Sequence, residues 1–371
     1  MSGKVSSRGA FIIKLTCSFS IALFITQPGC KGDLSAPPTV GPEWRTFTTS
    51  NTLLRNNTIR GIASDPNGIV WIATDFGGYS YSLIAHSWGD LTESLYTRIY
   101  FPEVTNMRNV TSVTYAKDKA VWFGFSSGEL IRYNPFATIR KLVWTRYKDP
   151  SVYGSKINSL DAMRSEWSPF GEVWAATSTG IKRFIQEDGD GKGDWMSYTV
   201  RGYSDGHVLC ARTNSFNGTV WFGIEWDEVV IQAQYDPRFQ FSPLTLPTGS
   251  HTSVNSIAFD ADTTVWIAQN QSVQQYSISG RRWNSFNYQN TGGLFPAAKV
   301  FAVESKKANL HWFGTDSGLV RLADASWSRF TTANSPLPDN HVTFLRYDVF
   351  GNLWIGTKGG IAVYNPSGTR L

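Results

Sequence analysis

The chain has 371 residues, a net charge of +5, 14% aromatic residues and only 17% charged residues. Soluble domains average about 25% charged residues, so this chain is built on rings rather than ions, which excludes a disordered polymer; its scattered glycines exclude a collagen-like one. Three of the positive charges, Lys4, Arg8 and Lys14, fall in an acid-free stretch, so residues 30 onward carry an excess of only +2. No dense Lys/Arg stripe is present to neutralise phosphates, and nucleic acid is not an expected partner.

In chain order, the basic start is followed by an apolar run from Leu15 to Ile25 and then Gln27-Pro28-Gly29-Cys30. A positive start, an apolar run too short for a comfortable span and a small-residue exit predict a secretory signal over 1–29. Gly29-Cys30 resembles the end of a bacterial lipoprotein signal, which implies lipidation of Cys30 and a solvated tether over 30–42. Cys17 would leave with the signal and Cys30 would carry lipid. Cys210, in Val208-Leu209-Cys210-Ala211, is then alone and is read as a small core residue.

From residue 43 a single unit repeats. Its marks are Val70-Trp71-Ile72-Ala73, Val121-Trp122-Phe123-Gly124, Val173-Trp174-Ala175-Ala176, Val220-Trp221-Phe222-Gly223, Val265-Trp266-Ile267-Ala268, His311-Trp312-Phe313-Gly314 and Leu353-Trp354-Ile355-Gly356. The tryptophans are spaced by 51, 52, 47, 45, 46 and 42 residues, the period of a four-stranded propeller blade. Before each Trp stands an alternating or apolar strand and a polar turn. After it come a Gly-containing turn, a third strand and a fourth strand opening on Trp88, Trp144, Trp195, Trp283 or Trp327, with Phe239-Gln240-Phe241 in unit four. The expected fold is all-β, a seven-bladed β-propeller over 43–371 with four-stranded blades.

The seventh unit lacks a fourth strand. Glu43-Trp44-Arg45-Thr46-Phe47-Thr48-Thr49 closely repeats Ser326-Trp327-Ser328-Arg329-Phe330-Thr331-Thr332. The N-terminal segment is therefore expected to join the last blade and close the ring, removing two long edges that would invite aggregation. Thirteen of the fifteen tryptophans then belong to blade packing, leaving Trp167 and Trp226.

Ser335-Pro336-Leu337-Pro338-Asp339-Asn340-His341-Val342, with Asp348-Val349-Phe350-Gly351-Asn352-Leu353-Trp354-Ile355-Gly356-Thr357-Lys358-Gly359-Gly360-Ile361, resembles the two-component regulator propeller repeat. The resemblance extends over about residues 43–366. It implies a periplasmic sensor-type propeller of the kind that responds to glycans. No kinase, immunoglobulin-like module or transmembrane exit accompanies it here, so the expectation is a stand-alone recognition or scaffold propeller. It would be lipid-anchored in a bacterial envelope, with the outer membrane favoured, touching the membrane through its lipid alone and binding an envelope protein or a glycan.

Chemistry-bearing motifs are sparse. Asp188, Asp190 and Asp194 alternate as in a calcium loop, but Lys192 takes a ligand place and Thr199 stands where a bidentate carboxylate is needed. They are weak metal candidates, and no cofactor is expected. His86, His207, His251, His311 and His341 show no metal-ligand spacing, and His311 reads as a structural histidine. No Gly-rich phosphate loop, GxSxG or HExxH is present, so no catalytic residue is assigned and the protein is read as non-enzymatic. The alternative is a metal-dependent lyase or hydrolase resembling the streptogramin lyase propellers, whose His and Glu have no evident match in the corresponding turns.

By analogy of fold, ligands meet the face made by the turns after the Trp strands and by the blade connections. That face is expected to carry Asp75, Phe76, Glu225, Trp226, Asp227, Asn270, Asp316 and Lys358. The long connection adds Tyr96, Arg98, Tyr100 and Phe101. Rings beside carboxylates and amides suit sugar stacking and protein hot spots alike.

Overall fold

The computed structural model describes residues 41–92, 109–137, 143–147, 155–163, 170–188, 191–198, 206–225, 229–233, 241–247, 252–260, 263–296, 298–307 and 309–371. Among them every regular element is a strand, and the strands form seven four-stranded antiparallel sheets. Sheet one runs Ile59–Ser64, Ile69–Thr74, Gly77–Ser82 and Ser87–Asp90. Five further sheets repeat that order over 110–147, 157–198, 208–245, 256–287 and 300–330.

The seventh sheet consists of Val342–Tyr347, Leu353–Thr357, Ile361–Tyr364 and, as its outer strand, Trp44–Phe47 from the other end of the chain. Trp44 faces Tyr364 and Phe47 faces Ile361, the register by which Trp327 faces Leu322 and Phe330 faces Leu319 in sheet six. The like sequences of the two segments thus take like places. Phe47 also packs on sheet one, with ring centroids 5.4 Å from Tyr81 and 5.3 Å from Trp88. The Thr343 hydroxyl donates to the Ile59 carbonyl at 2.6 Å, and Arg346 Nε to that of Ile62 at 3.3 Å. Sheets seven and one therefore meet side by side. In sheet four the fourth strand is Phe241–Thr245, beginning at the end of the Phe239-Gln240-Phe241 stretch.

The seven repeat tryptophans are all buried, none more than 2% exposed. Six of them lie on the aliphatic residue that precedes the next tryptophan, as Trp71 does with Val121 and Trp312 with Leu353, and Trp266 lies instead on His311, with ring centroids 4.3 Å apart. The small residue two places after the Trp has a steric cause. A Cβ on Gly124, Gly223, Gly314 or Gly356 would come within 2.5–2.7 Å of a methyl of Ile157, Val254, Val342 or Ile59 respectively, each opening the first strand of the next sheet or lying just before it. Ala73, Ala176 and Ala268 meet Val110, Val208 and Val300 in the same way. A bulky side chain here overpacks a sheet junction, which typically costs about 1–3 kcal/mol. Gly356→Val is expected to lower the melting temperature by several degrees without changing the far-ultraviolet circular dichroism, and an unchanged melting temperature would overturn this account.

Sheets one and seven share one further device, in which an aspartate six residues before the Trp holds both turn and indole. Asp348 Oδ1 accepts the amides of Phe350 and Asn352 at 2.9 and 3.0 Å, and Oδ2 accepts Trp354 Nε1 at 2.8 Å. Asp65 does the same for Asn67, Ile69 and Trp71. Burial pushes the Asp348 carboxyl above its ordinary range, against these four N–H donors counting Asn352 Nδ2.

Candidate functional site

One end of the sheets carries the polar candidates, and a backbone irregularity presents them. In six sheets the first strand slips register against the second near its start, skipping Arg60, Thr111, Asn158, Leu209, Phe301 or Thr343. A β-bulge of this kind bends the strand and re-aims the extra side chain. Several bulge residues stitch neighbouring sheets. Asn158 Nδ2 donates to the Val208 carbonyl at 2.7 Å, as Thr343 does to Ile59, and Asn255, just before sheet five, donates to Val300 at 2.9 Å.

Of the remaining bulge residues, Arg60 pairs with the predicted face, as do residues at other first-strand starts. Arg60 grips Asp75 with Nε and Nη2, at 2.6 and 3.0 Å from its two oxygens. Glu225 lies 2.9 Å from His207 Nδ1, and their backbones pair as well. Asn270 accepts from Asn255 at 3.2 Å, and Asp316 accepts the Lys299 amide at 3.3 Å and the Ser317 hydroxyl at 2.9 Å. Lys358 is exposed, its amide donating to the His341 carbonyl. Phe76 is half-buried, its carbonyl accepting the Tyr79 hydroxyl at 2.8 Å. Trp226, Asp227, Tyr96, Arg98, Tyr100 and Phe101 lie outside the described residues, as does Cys30.

Sequence reasoning missed Arg60, His207, Lys299, Phe301 and His341 on this face. Phe301 stacks on His341 with centroids 4.4 Å apart, and Lys299 Nζ sits 5.3 Å above the Phe301 ring. Burial, and then the Lys358 cation, hold the His341 imidazole below its usual pKa, so it is neutral at pH 7. All five lie at or just before a first strand, where an alternating pattern gives no sign that a bulge will turn a residue outward.

Below this face charged side chains span the axis. Asp161, Arg212, Glu304 and Arg346 each stand opposite the tryptophan of their own sheet. Arg212 of sheet four reaches Glu304 of sheet six at 3.1 Å, Arg346 of sheet seven approaches the same carboxylate at 4.0 Å, and Asp161 accepts from Thr213. Sheets four and six are not neighbours, so the Arg212–Glu304 pair crosses the centre. A ligand arriving at the turn end meets a charged floor.

Elsewhere, Asp188 Oδ1 accepts the Lys192 amide at 3.0 Å, capping its hairpin, while Asp194 is an exposed strand residue and Asp190 lies outside the described residues. Among the described residues no three His, Cys, Asp or Glu side chains gather as a metal-ligand set. Cys210 is buried, its thiol pushed up to about 12 by burial, and it is inert at neutral pH. His311 is 2% exposed, with Ser305 Oγ 2.9 Å from Nδ1.

These sheets define the class: an all-β protein of the β-propeller type, with four-stranded blades. Residues 53–76 and 336–359 match the two component regulator propeller model, so the chain carries that repeat in its first and last units. No curated protein resembles the sequence significantly. The extracellular domain of a protein assigned to a hybrid two component system of B. thetaiotaomicron superposes with a TM-score of 0.67 at 16% identity, over 88% of this chain and 41% of that one. A streptogramin B lyase structure gives 0.65 at 13% identity, over 87% and 97%. PorZ, a surface component of the type-IX secretion system of Porphyromonas gingivalis, gives 0.63 at 15%, over 84% and 46%. At these identities the likeness is one of fold, and the chain spans about two-fifths of the length of that extracellular domain.

Proposed function

We propose that this protein is an extracytoplasmic binding or scaffold propeller, tethered by lipid at Cys30, that recognises an envelope protein or a glycan at the turn end of its sheets and performs no chemistry on it. The observation that carries the reading is the geometry of that end. Rings (Phe76, Phe301, His341), the Arg60–Asp75 ion pair and the His207–Glu225 hydrogen bond share that end, above the charged floor of Arg212 and Glu304. Preset ion pairs and half-buried rings suit recognition at low ordering cost. The extracellular domain of the two component system protein and the surface component PorZ, which share the fold, support an extracytoplasmic address. Among the described residues no helix is long and apolar enough to cross a membrane.

The test places a photo-cross-linking amino acid at Lys358 in the full-length protein in cells, and at the outer-strand residue Met196 as control. A discrete adduct at 358, absent at 196 and lost from the membrane fraction in Cys30→Ser, is the expected result. Equal or no cross-linking at the two positions would overturn the proposed face. A second reading, a lyase, is favoured by the His207–Glu225 pair alone. It requires magnesium-dependent turnover of a streptogramin that disappears in His207→Ala.

A further inference from the structure

Eight large apolar side chains stand exposed among the described residues. Leu53, Tyr288 and Leu294 belong to blade connections at the face proposed above, and Met196 to an outer strand. The other four, Phe136, Phe170, Phe216 and Val349, all sit in turns at the opposite end of the sheets. Topology fixes the two ends. Asp75, Asp316 and Lys358 follow the Trp strands, whereas these four precede a Trp strand or follow a third strand.

Two of the rings are held out by the same device. Buried Asn134 and buried Asn214 accept the amides of Phe136 and Phe216 through Oδ1, each at 2.9 Å, which fixes each turn from within. Phe136 is 53% exposed and Phe216 67%, so each presents an apolar ring to water at a preset turn tip. A Cβ on Gly171 would lie 3.1 Å from that of Lys117, so the turn carrying Phe170 is seated against the turn carrying Lys117 and Lys119. Both lysines are exposed. Asp118 between them is buried, its carboxylate taken by Arg132 and Gln186. Apolar rings beside cations suit the boundary between headgroups and acyl chains of a membrane.

The path of the chain indicates what this end faces. Trp44 pairs with Tyr364 at the close of the last third strand, and the Gly41 amide donates to the Thr369 carbonyl at 2.7 Å. Arg370, next in line, donates its amide to Asn352 Oδ1 at 2.9 Å, in the turn that carries Val349. The segment bearing Cys30 therefore joins the sheets at the end of the exposed rings. Eleven residues lead from Cys30 to Gly41, a reach of at most about 40 Å when fully extended.

We infer that this end is a docking surface for a phospholipid bilayer: Phe136, Phe170 and Phe216 enter the headgroup region, with Lys117 and Lys119 beside its phosphates. The lipid at Cys30 is then not the protein's sole contact with the membrane, and the recognition face points away from it. A bilayer suits these rings better than a protein partner. They stand singly on turns of three successive sheets, whereas protein hot spots cluster in packed pockets. The inference rests on the tether at Cys30 proposed above.

The experiment moves the photo-cross-linking amino acid to Phe136, Phe170 or Phe216 of the full-length protein, in cells whose phospholipids carry radioactive phosphate. Phospholipid adducts at least tenfold above those at Lys358 and Met196 are expected at all three positions. Adducts to a protein in their place, or phospholipid adducts no stronger than at Lys358, would overturn the inference. With the probe at Phe136, Phe170→Ser/Phe216→Ser should lower the adduct at least fivefold and leave the melting temperature unchanged, because both rings are exposed. An undiminished adduct in that folded variant would also overturn it. Failure of the tether is read separately, as retention of Cys30→Ser in the membrane fraction; phospholipid adducts at Phe216 would still support the docking surface in that case.

Discussion

Replacing Trp354 by alanine is expected to cost about 3–5 kcal/mol, the range for large buried aromatics, because three interactions end together. The indole lies under Phe47 and Tyr81, at centroid distances of 5.9 and 5.8 Å, so it joins the N-terminal strand, the last sheet and the first. Its N–H also satisfies Asp348, a buried carboxylate that organises the preceding turn. Trp354→Phe separates the contributions: most of the ring packing survives, and the loss should fall to about 1–3 kcal/mol, the cost of one unmet buried hydrogen bond. Chemical denaturation of the three proteins checks this. Equal losses for the two variants would show that the hydrogen bond, not the packing, dominates.

Deleting residues 41–49 is expected to have the larger effect. The deletion strips Ile361–Tyr364 of its partner strand and removes Trp44 from Tyr364, 4.6 Å away, and from Phe330, 5.7 Å away. It also removes Phe47 from Trp88 and Tyr81. Two half-buried rings and a strand's worth of backbone pairing together approach the ~5–15 kcal/mol by which a domain is stable at all. The exposed edge is a template for pairing with another chain. The truncated protein should lose its cooperative unfolding transition and elute as soluble aggregate on gel filtration, while a chain cut only to residue 41 should remain monomeric and cooperative. A truncated protein that stayed monomeric with an unchanged melting temperature would show that Trp44–Phe47 is dispensable for joining sheets seven and one.

Both predictions rest on features written plainly in the sequence. The seven Val-Trp-like marks recur because each must fill the same sheet junction, so repetition of one local solution discloses the strand order and sheet number. The match between residues 43–49 and 326–332 discloses which strand the N-terminus supplies, because like side chains seek like pockets. The glycine or alanine two places after each Trp was visible, but its cause was not, since the methyl it admits belongs to a residue of the next sheet, 28 or more positions away.

The site was less legible for the same reason. Asp75, Glu225, Asn270, Asp316 and Lys358 could be named because they follow a recognisable strand. Their partners Arg60, His207 and Lys299 lie at or near first-strand bulges, which leave no mark in a period-two pattern, and Asn255 lies just before the first strand of sheet five. The contact between Arg212 and Glu304 joins residues of non-adjacent sheets across the axis.

By itself, then, the amino-acid sequence determined the all-β class, the four-stranded unit, its sevenfold recurrence and the N-terminal origin of the last outer strand. These follow from local periodicity and from repeated packing needs that each unit states for itself. The tertiary structure alone decided which polar groups meet and that charge spans the axis. Those depend on distances between residues of different sheets, which curvature and bulges set and which no single stretch of chain encodes.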